Sequence, residues 1–131
     1  MSTDQEIQQI LKDTKTIAVV GISHKAHRAS YQVAKFLIEK GYTVIPVNPK
    51  YEEVLGQVCY AKLEDIPVAV DMVDCFRRSE EIVPIAESAI RIGAKVLWMQ
   101  LGVENDDAAE MAKSAGMQVV MNRCPKIDYR G

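Results

Sequence analysis

The sequence predicts an α/β fold of the Rossmann-like, doubly wound kind, with one parallel sheet of about five strands and helices on both faces. Three observations carry this expectation. Short β-branched and apolar runs recur without polar alternation, which suits strands covered on both faces. Segments with apolar residues at helical spacing separate them. The first two runs and the helix between them span about 30 residues, the size of a parallel crossover unit.

Thr3-Asp4-Gln5-Glu6 reads as a capping box, and Ile7, Ile10 and Leu11 follow at i, i+3 and i+4, predicting a short helix that ends near Lys12. The run 16–22 is the first strand, terminated or bent by Gly21. Ser30 is placed to cap the next helix, whose stripe is Val33, Ala34, Leu37 and Ile38 and whose stop is Lys40-Gly41. Strands are expected over 43–47, 69–76, 95–99 and 118–121. A helix over 80–92 has an irregular start at Pro84, and Asn105-Asp106-Asp107 caps a cleaner helix stopped by Gly116. The stretch 52–67 is an excursion with a short helical turn near 63–66. Right-handed connections suggest the strand order 3-2-1-4-5.

At 131 residues, 48% hydrophobic and 26% charged, residues 1–131 make a single domain able to bury its own core. Its longest apolar runs fall far short of the roughly 20 residues of a membrane span, and residues 1–10 lack the pattern of a secretory signal, so a cytoplasmic location is expected. Three widely spaced cysteines, Cys59, Cys75 and Cys124, suit reduced thiols, and none has metal-ligand spacing with another. A net charge of −2 argues against nucleic acid as a partner. Cations matter only where they cluster, at residues 25–28, 77–78 and 123–130.

In a doubly wound sheet the ligand sits at the carboxyl ends of the strands, which directs attention to the loops after Gly21, Val47, Phe76 and Met99. The first loop, Gly21 to Ser30, leads directly into a helix. Backbone N–H groups and the positive end of the helix dipole attract phosphate there, and Ser23, Lys25, Arg28 and Ser30 offer direct contacts. Ser23 and Ala26 stand where a dinucleotide fingerprint needs its second and third glycines, which argues against an ordinary NAD site. After the second strand Asn48-Pro49-Lys50 replaces the usual acid, and a cation there suits an extra ribose phosphate: the 3′-phosphate of coenzyme A or the 2′-phosphate of NADP. Phe76 and Arg77 offer a stacking plane and a guanidinium, while Arg78 and Trp98 are read as solvent-facing and core residues.

Catalytic groups are few. His24 and His27 lack an acid partner, and Asp71 and Asp74, three apart on one strand, point to opposite faces and are read as strand-end or hydrogen-bonded buried acids. Cys124 lies between Arg123 and Lys126, which favour a thiolate, but a packed thiol is the preferred reading. No catalytic residue and no metal ligand is assigned.

Five motifs taken in order, 19–23, 47–50, 73–78, 97–102 and 122–126, resemble the small stand-alone CoA-binding proteins. That family is similar to the N-terminal CoA-binding domain of the succinyl-CoA synthetase α subunit, and the resemblance covers about residues 15–128. It implies a Rossmann-like domain binding coenzyme A or an acyl-CoA: Gly21, Ile22 and Ser23 at the diphosphate, Asn48, Pro49 and Lys50 at the ribose-phosphate end, Phe76 and Arg77 at the nucleotide. Arg28 and Ser30 are added from the loop argument. The implied role is a non-catalytic binding or regulatory module, with room for a protein partner or a homodimer; the alternative is a small NADP-dependent oxidoreductase.

Overall fold

A computed structural model describes residues 3–131. Helix α1 (Asp4–Asp13) opens on the expected capping box, with the Thr3 hydroxyl accepting from the Glu6 N–H and the Glu6 carboxylate accepting from the Thr3 N–H. Strand β1 (Thr16–Val20) is followed by α2 (Ala29–Glu39) and β2 (Thr43–Val47). Two-residue strands β3 (Glu53–Val54) and β4 (Gln57–Val58) form an antiparallel hairpin, and a 3-10 turn covers Leu63–Asp65. The chain then builds β5 (Met72–Cys75), a 3-10 turn over Ser79–Glu81, α3 (Ile82–Arg91), β6 (Val96–Met99), α4 (Asp106–Ser114), β7 (Gln118–Val120) and the short α5 (Pro125–Asp128).

Five strands make one parallel sheet in the order β2-β1-β5-β6-β7. Numbered along the chain, the principal strands therefore run 2-1-3-4-5, and the expected order 3-2-1-4-5 is wrong. The carboxyl end of the outer β2 edge carries a single bridge. Tyr60 bridges Val47 in parallel, its N–H donating to the Pro46 carbonyl at 3.0 Å and its carbonyl accepting from the Asn48 N–H at 2.9 Å. The third principal strand pairs instead with the other side of β1, which places the switch point between β1 and β5.

Alternation along the buried strands divides the core into two layers. Ile17 and Val19 face α1 and α2, among Ile7, Leu11, Val33 and Leu37. Ala18 and Val20 face α3 and α4, among Ile82, Ala86, Ala108 and Ala112. Asp71 ties the amino ends of the strands together and precedes β5 instead of lying in it. Its carboxylate accepts from the Lys15 and Thr16 N–H groups at 2.9 and 3.0 Å and faces Lys95 Nζ at 3.7 Å. Burial opposes its ionisation, but those N–H groups and the lysine outweigh it and hold the carboxyl below its usual range.

Candidate functional site

The sheet's carboxyl ends open into a cleft of about 590 Å³ at the switch point. Four turns line it. Gly21, Ile22 and Ser23 follow β1, Asn48, Lys50 and Tyr51 follow β2, Phe76 to Arg78 follow β5, and Gln100 to Val103 follow β6. Arg28, Ala29 and Ser30, at the start of α2, complete the wall. Of the eleven residues put forward for ligand contact in the sequence, only Lys25 and Pro49 do not line the cleft.

Gly21 has φ +85°, and a Cβ on it would sit 2.3 Å from the Phe76 carbonyl oxygen. That close approach of two backbones is where β1 and β5 diverge, and only glycine permits it. The Gly21 N–H is already bonded, donating to the Val47 carbonyl at 2.9 Å. The Ser23 N–H donates to Ser30 Oγ at 2.9 Å, and Ser23 Oγ accepts from the Lys25 N–H at 3.0 Å. Asn48 locks the second turn onto the first: its Nδ2 donates to the Ile22 carbonyl, and its Oδ1 accepts from the Lys50 N–H, both at 2.9 Å.

Ser30 is therefore not the N-cap of α2, as its residue type suggested; its hydroxyl is committed to Ser23. Arg28 occupies the cap position and no side chain caps the helix. The first-turn N–H groups of α2 thus lack both intrahelical acceptors and a side-chain cap, and they stand at the cleft wall with the positive end of the helix dipole.

Four cations line the cleft, Arg28, Lys50, Arg77 and Arg78, and no carboxylate does. Arg78 is held by Glu81 at 2.7 Å. Among the described residues no carboxylate pairs with Arg28, Lys50 or Arg77. A chain of net charge −2 thus gathers uncompensated positive charge at one place. His24 packs on Tyr51 with ring centroids 4.5 Å apart, linking the first two turns by an aromatic contact.

Ala29, Tyr51, the run Gln100 to Val103, and Arg78, which was expected to face solvent, are cleft residues that the sequence did not single out. The signal for that run was available, since the rule that chemistry follows each strand points to the loop after Met99. Trp98 is core, fully buried, with Nε1 donating to the Arg123 carbonyl at 2.8 Å. Cys124 is buried, and the Arg123 guanidinium beside it bonds to Asp128 and Asp4. Asp74 departs from its expected hydrogen-bonded state: it is fully buried and neither carboxylate oxygen has a partner among the described residues.

A family profile described as a CoA binding domain matches residues 15–130. The chain belongs to that family. Within the CoA-binding-domain family it is 41% identical over 124 residues to uncharacterized protein YneT of Bacillus subtilis, covering 95% of this chain and 92% of YneT. The solved structure of a hypothetical protein from Pyrococcus horikoshii OT3 superposes with a TM-score of 0.94 at 45% identity, covering 97% of this chain and 89% of that one. An ADP-forming acetate–CoA ligase of Archaeoglobus fulgidus is 29% identical over 120 residues, which is 84% of this chain but 18% of the ligase. The CoA-binding-domain fold thus occurs here as a counterpart of one segment of a much larger enzyme.

Proposed function

We propose that the cleft binds coenzyme A or an acyl-CoA, as a binding or regulatory module that does not itself turn the ligand over. The observation that carries this is the uncompensated cationic cleft at an uncapped helix N-terminus, in a chain of the CoA-binding-domain family. The diphosphate lies against the first turn of α2, which has N–H groups to give, with Gly21 to Ser23 as the floor and Arg28 as counter-charge. Asn48, Pro49 and Lys50 take the ribose-phosphate end, and Phe76 with Arg77 takes the nucleotide.

Calorimetry with CoA and 3′-dephospho-CoA tests the reading. CoA is expected to bind about tenfold more tightly, a difference that Lys50→Ala removes. Equal affinities refute the role of Lys50, and no binding of either at millimolar concentration refutes the ligand. Lys50 also suits the 2′-phosphate of NADP, so thermal protection by NADPH but not by CoA reverses the assignment.

A further inference from the structure

Both oxygens of Asp74 and Oε1 of Gln100 are buried with no hydrogen-bond partner among the described residues. They are three acceptors in search of a donor. Register pairs Asp74 with Val19 of β1 and Trp98 of β6, so its side chain projects with theirs into the apolar layer beneath α1 and α2. Gln100 follows Trp98 by two residues and continues the ladder, its N–H donating to the Cys75 carbonyl at 3.3 Å, so it lies on that same side of the sheet. With strands about 4.8 Å apart and a rise of about 3.3 Å per residue, positions offset by two on adjacent strands lie about 8 Å apart, close enough for two polar side chains to meet between them.

An ionised carboxylate in that layer has no cation to pair with: none of the ion pairs among the described residues includes Asp74. A proton on it turns one acceptor into a donor, and the Gln100 oxygen is the acceptor on the next strand that lacks one. The amide nitrogen of Gln100 is then left for the cleft, which Gln100 lines.

We propose that Asp74 is a neutral carboxylic acid that donates to Gln100 Oε1, fixing the Gln100 amide so that its nitrogen donates into the cleft to a carbonyl or phosphoryl oxygen of the ligand. Gln100 is the binding residue and Asp74 positions it. Burial acts in the same direction, pushing the Asp74 carboxyl well above its usual range. Only the ligand half of the proposal rests on the CoA reading; the proton half stands without it.

Infrared difference spectroscopy of the ligand-free protein at neutral pH tests the proton half. A carboxylic-acid C=O band is expected, absent from Asp74→Asn and moved to higher frequency in Gln100→Leu, where the acceptor is gone. Calorimetry with CoA tests the other half. Asp74→Asn, whose amide N–H replaces the lost donor, is expected to bind within about threefold of the parent, and Gln100→Leu to bind about tenfold more weakly. Carboxylate bands alone for Asp74, an unmoved band in Gln100→Leu, or undiminished CoA affinity in Gln100→Leu each overturn the proposal. If the parent protein does not bind CoA, the functional reading fails by itself, and the infrared result still decides the Asp74–Gln100 pair.

Discussion

Gly21 was conspicuous in the sequence for what a phosphate needs, but the requirement for glycine comes from the protein's own backbone. The Phe76 carbonyl occupies the space of a Cβ, and neither backbone can yield without disturbing the β1–β5 pairing. Gly21→Ala is therefore expected to cost about 3 kcal/mol from positive-φ strain and overpacking together, seen as a lower urea midpoint at unchanged m. Asp74 makes a second prediction at this scale. Its folded-state proton is held more tightly than in the unfolded chain, so its contribution to stability is full at low pH and falls as pH rises above the unfolded value of about 3.9, by at most about 1.4 kcal/mol per unit. Asp71, held below its usual range, works the other way and loses its contribution as pH falls. Urea midpoints between about pH 5 and pH 8 should show the parent losing stability and Asp74→Asn holding level; parallel curves would mean that Asp74 is ionised throughout. Residue types alone made the cations at 28, 50 and 77 legible. They could not show that Ser30 serves Ser23 or that Asp74 has no partner, because both depend on what the fold brings alongside.

At the scale of elements, the long apolar runs were legible because burial on both faces leaves no ambiguity of pattern: β2 falls where the run predicts, and the others differ by trimmed ends. The β3–β4 hairpin and α5 were not, since strands of two residues and a helix of four are too short for any period to register. Caps tell the same story. Asn105 at the head of α4 accepts from the Ala108 N–H at 2.9 Å and also donates to the Ser79 carbonyl at 2.9 Å, joining α4 to the turn that precedes α3. Asn105→Ala should cost about 1 kcal/mol, lowering the melting temperature by roughly 4 °C. Because this joint lies outside the cleft lining, CoA affinity should be unchanged in calorimetry. A fall in affinity as large as that of Lys50→Ala would mean that the α4 head supports the site.

For the whole molecule, the misjudged strand order has a plain physical source. Local patterns specify each strand, but which side of β1 the third one joins depends on non-local pairing that carries no sequence period; on the outer side of β2 it is Tyr60 that bridges Val47. The consequence is functional, because the order 2-1-3-4-5 puts the parting of the chain beside Gly21 and brings four turns around one cleft. A ligand bridging those turns crosslinks both core layers through the sheet they share, so binding should be felt by the whole fold. At a free CoA concentration of 100 times Kd the native state gains about 2.7 kcal/mol, which for a chain of 131 residues raises the melting temperature by roughly 10 °C. At one fixed ligand concentration the gain is sensitive to ionic strength, because screening of the cleft's exposed cations raises Kd as the Debye length shrinks. Differential scanning fluorimetry at low and high salt should therefore show a large shift with CoA that shrinks with salt, and a smaller, less salt-dependent one with 3′-dephospho-CoA. Equal shifts for the two ligands, or a shift indifferent to salt, would place the bound molecule away from Arg28, Lys50 and Arg77.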